Sequence, residues 1–254
     1  MRNIWIIMRK ELGSYFASPI AYLLLTMFAL IFGFFFWISL EQFVVVGMEM
    51  QMRGQSFPMN LNEELIRPLL SNVSVIGLFF IPMITMRLFA EEKRTGTIEL
   101  LATSPIRDLE IIIGKWFAAL VMYVTMLLFT ALSFAFLFKY GNPDWRPLAI
   151  GYLGLLLQVG GLLAIGTFIS TLTKNQIIAG AATFGVCLLL WVVGWVENDP
   201  ATWARVLSYM SVITHFESFA KGVLDTKDAI FYLTLIFVGL FFTSRSMESL
   251  RWRS

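Results

Sequence analysis

Charge is scarce in this 254-residue sequence: 14% of residues are Asp, Glu, Lys or Arg, 58% are hydrophobic, and the mean hydropathy is +0.76. Soluble domains carry roughly 25% charge, so the shortage excludes a soluble globular enzyme, and the low polarity excludes a disordered chain. No repeat of about 20–50 residues is visible, which excludes a solenoid. The single cysteine, Cys187, can form no intrachain disulfide and sits in an apolar run as a packing residue. Nineteen basic against 17 acidic residues leave a net charge of +2, too even to draw a nucleic-acid partner. A polytopic, all-α membrane protein remains.

A spanning helix needs about 20 mainly apolar residues, so the gaps between charges are the ruler. Uncharged runs predict six spans, at about 19–40, 68–86, 116–138, 148–172, 177–196 and 229–244. The last uncharged run, Ala229 to Ser244, is only 16 residues, so that span is expected to thin the bilayer or let Lys227 and Arg245 snorkel. The first run is too long for a secretory apolar region and Phe34 to Trp37 offer no small-residue cleavage site, so it is expected to persist in the mature protein.

Six spans place both ends on one side. That side, with its 2–3 and 4–5 connections, holds 12 of the 19 basic residues, against seven on the other, so the positive-inside rule predicts N-in and C-in. Residues 1–18, with Trp5, Tyr15 and an apolar stripe beside Arg2, Arg9, Lys10 and Glu11, read as an amphipathic helix in the cytoplasmic interface, or more simply as a charged flank. On the outer side, Glu41 to Arg67 reads as a loop. In the 197–228 segment, Trp203, Val206, Leu207, Met210, Ile213 and Phe216 recur at near-helical spacing, which predicts short helices that pack on the outer surface or receive an outer-side accessory protein.

No charge falls inside the six spans as drawn, which argues against ion-coupled transport, since coupling ions bind intramembrane carboxylates, histidines or paired charges. Catalysis lacks its parts as well. The sole histidine, His215, lies outside the spans and reads as structural, no Cys and His cluster has metal spacing, and no G-x-S-x-G elbow occurs. The Gly114-Lys115 pair lacks the remainder of a P-loop, so no ATP binds through such a motif here.

Spans 4 and 5 are rich in small residues; Gly166 with Ser170 and Ala181 with Gly185 have the spacing that brings helices close, within the chain or against a second one. Ser71, Asn72, Ser74, Gln158 and Thr183 are the uncharged polar groups within spans, expected to bond between helices or to line a polar path. Between spans 2 and 3, residues 88–106 read as a short amphipathic helix stopped by Ser104-Pro105, with Glu91, Glu92, Lys93 and Arg94 facing water and Ile98, Leu101 and Ala102 on one stripe. Such an element docks in a partner's groove or lies on the membrane.

The order E-E-K-R-T-G-T-I-E-L-L-A-T-S-P, then I-I-I-G-K entering a span, resembles the first cytoplasmic loop of permease subunits of type-2 ABC exporters. Two further stretches match in order: G-T-F-I-S-T-L-T-K-N-Q-I-I-A from Gly166, and H-F-E-S-F-A-K-G-V-L-D-T-K-D from His215, followed by the basic end Arg251, Trp252, Arg253. With the six-span plan the resemblance covers nearly the whole chain, and it is nearest the gliding-motility-associated branch.

The resemblance implies a bacterial inner-membrane permease with no cofactor of its own, which works with a second permease chain, identical or related, and a cytosolic ATPase subunit that binds ATP and Mg. It implies that the ATPase is contacted by a coupling helix, a role falling on Glu91, Glu92, Arg94, Gly96, Thr97, Glu99, Leu100 and Leu101, and by the turn at Lys174, Asn175 and Gln176. Span 5 is nearly all apolar, which favours a lipophilic cargo. The rival readings are a non-transporting membrane anchor of a motility or secretion machine and an intramembrane enzyme.

Overall fold

Serine and proline set the first boundary. Helix α1 (Arg2–Ala17) stops where the Ser18 side chain accepts a hydrogen bond from the Ile20 N–H at 3.3 Å and Pro19 opens α2 (Pro19–Met52). The computed structural model describes residues 2–53, 60–98, 106–198 and 202–251, and among these every element is helical. A π-turn (Asn62–Ile66) leads into α3 (Arg67–Thr85), and after a tight turn comes the six-residue α4 (Ala90–Thr95). Then follow α5 (Asp108–Tyr140), α6 (Trp145–Leu172), α7 (Gln176–Val192) with a 3-10 turn (Val193–Asn198), α8 (Thr202–Ser208), α9 (Val212–Ala220) and α10 (Thr226–Arg251).

Six of these stretches are long and apolar enough to cross a membrane. Two boundaries differ from the sequence expectation. α2 runs 12 residues past Leu40, because Glu41 to Met52 contains helix formers and neither charge pairs nor a lone glycine interrupts a helix; half of the expected outer loop is helix. α10 spans 26 residues rather than 16, since Lys227 and Asp228 enter its first turn and Arg245 and Glu248 pair along its last, 2.8 Å apart. At about 1.5 Å per residue the whole helix is about 39 Å long, while its uncharged run stays at 16 residues.

The interior is built around α6, which packs on α10, α3, α9, α7 and α5. Within the apolar windows 72% of α3 and 56% of α6 are buried, against 22%, 17% and 22% of α2, α7 and α10, so α3 and α6 form the core and the others present large apolar side chains outward. Close approach explains two glycines: a Cβ at Gly166 would lie 2.5 Å from Thr85 Oγ1 of α3, and one at Gly114 would lie 2.9 Å from Ile7 of α1. Six crossings put α1, α4, the α6–α7 turn and the end of α10 on one face, the termini face, and the π-turn, α8 and α9 on the far face.

Candidate functional site

On the termini face the decisive residue is Lys115. The sequence places it at the edge of a span, outside the apolar run, yet α5 begins at Asp108, where Asp108 and Glu110 suit a helix N-terminus. Lys115 is thereby carried a further two turns inward, where it is 1% exposed. Its ammonium donates to Glu11 of α1 at 3.0 Å, to Glu92 of α4 at 2.9 Å and to the Leu88 carbonyl at 2.7 Å, and lies 5.1 Å from the Phe89 ring centroid. Three donors on one nitrogen thus hold three segments, α1, α4 and α5, and every proton of the ammonium has a partner.

This corrects the reading of 91–94 as a solvated face. Glu92 points inward to Lys115, with its second carboxylate oxygen buried and unbonded among the described residues. Lys93 turns across to donate to the Thr171 carbonyl at the end of α6. Glu91 pairs with Arg87 at 3.3 Å, one helical turn away, and Arg94 alone of the four projects as an exposed side chain. Gly96 ends α4 at φ +76° and is exposed with Thr97, whose hydroxyl meets that of Thr95 at 2.9 Å. Glu99, Leu100 and Leu101 lie outside the described residues, as do Ala102 to Pro105 and the final Trp252 to Ser254. A cavity of about 440 Å³ opens between Glu11, Ser14, Glu91, Glu92, Thr97 and Lys115.

α4 is tied to the α6–α7 turn. Ser170 Oγ accepts from the backbone N–H groups of Phe89 and Ala90 at 3.0 and 3.1 Å, satisfying the start of α4 from a neighbouring helix. In the turn itself Lys174 and Asn175 are exposed and Gln176 half-buried; the Asn175 side chain caps α7 by accepting from the Ile177 N–H at 2.9 Å. α1 is fixed beside them: the Tyr15 hydroxyl donates to the Ile84 carbonyl at 2.8 Å and Asn3 donates to Glu110 at 3.0 Å.

The polar groups within spans separate into two kinds. Ser74 of α3 donates to Gln158 Oε1 of α6 at 2.7 Å, both fully buried, while Gln158 Nε2 and the buried Tyr123 hydroxyl have no partner among the described residues. Thr183 is buried and bonds its own helix at the Ala179 carbonyl. Ser71 and Asn72 are half-buried. Ala181 and Ala182 are exposed and a Cβ at Gly185 would meet nothing within 4 Å, so the small face of α7 is unpacked among the described residues.

On the far face the sequence reading missed a pair. His215 is 4% and Asp228 1% exposed, and Nδ1 of the one lies 2.7 Å from Oδ1 of the other. The spacing of 13 residues across an irregular turn carries no periodic signal, so only the fold reveals it. Among the described residues no cluster fit to hold a metal ion occurs.

Residues 49–244 match the ABC-2 family transporter protein family. The chain is also similar to the probable multidrug ABC transporter permease YbhR of Escherichia coli, from strain K12 and from O157:H7, at 29% identity over 165 residues. That stretch is 63% of this chain and 43% of either relative, so the chain spans less than half the length of the curated relatives it matches. Six apolar helices in the expected order and a family match over three quarters of the chain lead to one conclusion: this protein belongs to the ABC-2 transporter family, as a multi-pass membrane permease.

Proposed function

We propose that the chain is the membrane subunit of an ATP-dependent exporter in a bacterial inner membrane, with the termini face in the cytoplasm, α1 in the membrane interface and a separate ATPase docked on α4. The observation that carries this reading is the junction of α4 with the α6–α7 turn through Ser170 and Lys93. The two segments that the family resemblance assigns to ATPase contact stand side by side on one surface, with Arg94, Gly96, Thr97, Lys174 and Asn175 exposed on it. A rigid partner pressing there moves α4, and Lys115 passes the displacement to α1 and α5 together. This is the bistable rigid-body linkage that ATP binding in another chain needs to reorient a membrane path.

The unpacked Ala181, Ala182 and Gly185 face of α7 suits close packing against a second permease chain. A lipophilic or amphiphilic small molecule as cargo is supported by the nearly all-apolar span 5 and by the similarity to a probable multidrug permease. Exchange of Arg94 for cysteine, with cross-linking in the native host, tests the docking. An ATP-hydrolysing partner carrying a P-loop should be captured at position 94 and not at the far-face position Tyr209; capture at neither, with the bundle intact, would leave the anchor reading.

A further inference from the structure

The far-face pair His215–Asp228 obeys a proton count that the geometry fixes. His215 Nε2 lies 2.8 Å from the Tyr209 carbonyl, which can only accept, so Nε2 carries a hydrogen. Nδ1 lies 2.7 Å from Asp228 Oδ1, and that contact also needs one hydrogen, on the imidazole or on the carboxyl. Either way the bonded pair holds two protons and is electrically neutral. Separated in water above about pH 6.5, histidine and aspartate hold only one between them. Closing the pair therefore takes up a proton, and opening it releases one.

The surroundings make this a closed site. The imidazole stacks on Phe231 at 3.9 Å, with the Tyr209 ring edge at 5.0 Å. Asp228 Oδ2 is buried without a partner among the described residues, and the pair borders a cavity of about 220 Å³ with Thr214, Ser218 and Lys227. Asp225 is half-buried, accepts from the Lys227 N–H at 3.0 Å and lies 3.4 Å from its ammonium; that backbone bond holds its carboxyl below the usual range. The Tyr232 hydroxyl is committed to the Val212 carbonyl at 2.6 Å. α6 and the 3-10 turn meet α9 at Gly154 and Gly194, which bring no charge, and α7 adds only the buried Cys187. Arg67 of α3 and Arg146 and Tyr152 of α6 form no described bond with the pair; the side chains of Glu197 and Arg205 lie outside the described residues.

We infer that His215 and Asp228 form a proton-binding latch that clamps α9 onto α10 and releases it when the proton leaves. α9 is a wedge at the far-face end of the core: a Cβ at Gly154 would lie 2.4 Å from Phe219, and one at Gly194 would lie 2.5 Å from Ser211 Oγ. Release of the latch loosens the cap over α3, α6 and α7, and so ties the opening of this end to the pH of the far side. The inference stands on the pair alone and does not require the exporter reading.

Hydrogen exchange of the α9 amides tests it on the full-length protein in lipid nanodiscs, normalised to a freely exchanging peptide of the same sequence. One proton bound on closing makes the closed-to-open ratio fall up to about tenfold per pH unit, so protection of residues 212–220 should drop between pH 6.5 and 8.5. Asp228→Asn should keep α9 protected and remove the slope, because a neutral amide donates to Nδ1 without a titrating proton. The chain has one histidine, so ring nitrogen-15 resonances of the wild type, carrying a tag without histidine, report the same event without any variant. Nε2 should remain protonated across the range while Nδ1 changes with protection. A flat wild-type profile, an unprotonated Nε2 at pH 6.5, or an unchanged slope in Asp228→Asn would overturn the latch.

Discussion

The two ends of the bundle solve one mechanical problem with different chemistry. Each docks a short helix, α4 or α9, against α6, each secures it with a buried hydrogen-bonded acid–base pair, and each ends it at a glycine of positive φ, Gly96 at +76° or Gly222 at +75°. At the termini face the pair is lysine with two glutamates, groups that ordinarily titrate far from neutrality; at the far face it contains the only histidine, the side chain that titrates near it. One end thus holds α4 with a lysine and two glutamates, which suits a transmitter of force, and the other holds α9 with a histidine and an aspartate, which suits a conditional cap. The glycines differ in the same sense. Among the described residues Gly96 has nothing within 4 Å of a would-be Cβ, leaving α4 open for docking, whereas Gly222 would meet Pro147 at 2.7 Å, so the end of α9 is already packed.

The contrast is broken most strongly at Lys115. Lys115→Met leaves Glu11 and Glu92 facing each other with no cation between them, and removal of one member of a buried charged network costs about 3–5 kcal/mol. Thermal unfolding in detergent should show that loss at every pH between 6 and 9, with α1 losing hydrogen-exchange protection. Adding Glu11→Gln and Glu92→Gln should recover most of it, since the cost lies in the stranded carboxylates. A loss confined to alkaline pH would erase the distinction between the ends.

Next come the glycines. Gly222→Ala meets left-handed strain and a clash with the Pro147 ring, together about 2–3 kcal/mol, while Gly96→Ala meets the strain alone, about 1–2 kcal/mol. Exchange of α9 and α4 amides reads the two separately. Equal costs would mean that packing at Gly222 relaxes freely and that the far-face cap is as open as the docking face.

What the sequence disclosed depended on range. Six spans follow from the gaps between charges, and the fold bears out the all-helical reading, because burial of apolar helices is a local property of composition. Helix ends were less legible: α2 and α10 overrun their uncharged runs because charged residues such as Glu41 and Lys227 are compatible with a helix and only disqualify the membrane core. The Ser74 and Gln158 pairing was legible as a need for partners but not as a bond, since 84 residues separate them. Least legible were the charges. Lys115 and Glu92 look solvated in a list of residues and become buried only once α1 closes over α5 at Gly114, and His215 meets Asp228 only through the turn after α9. Ion pairs of this kind carry no period, so a reading built on periodicity passes over them.

Midway between the two ends, Ser74→Ala should cost about 1–2 kcal/mol, because it strands the Gln158 carbonyl in the core. The double replacement with Gln158→Leu should cost less than Ser74→Ala alone, which a thermal-unfolding cycle measures; additive losses would mean that Gln158 is served by other partners.

Glu91→Gln removes a partly exposed pair with Arg87, 3.3 Å apart and one turn along the chain, and such i,i+4 pairs are worth about 0.3–0.5 kcal/mol. Glu91 sits one residue from Glu92, on the same short helix, yet its side chain is 40% exposed against 13% for Glu92. If α4 is held from beneath by Lys115 and offers its upper surface to a partner, Glu91→Gln should leave thermal stability within error and high salt should mimic it. Glu92→Gln, by contrast, should lower stability and resist salt, because its partner is desolvated. Two adjacent glutamates that responded alike would mean that the inward charge is not what fixes α4, and the rigid end of the molecule would need another explanation.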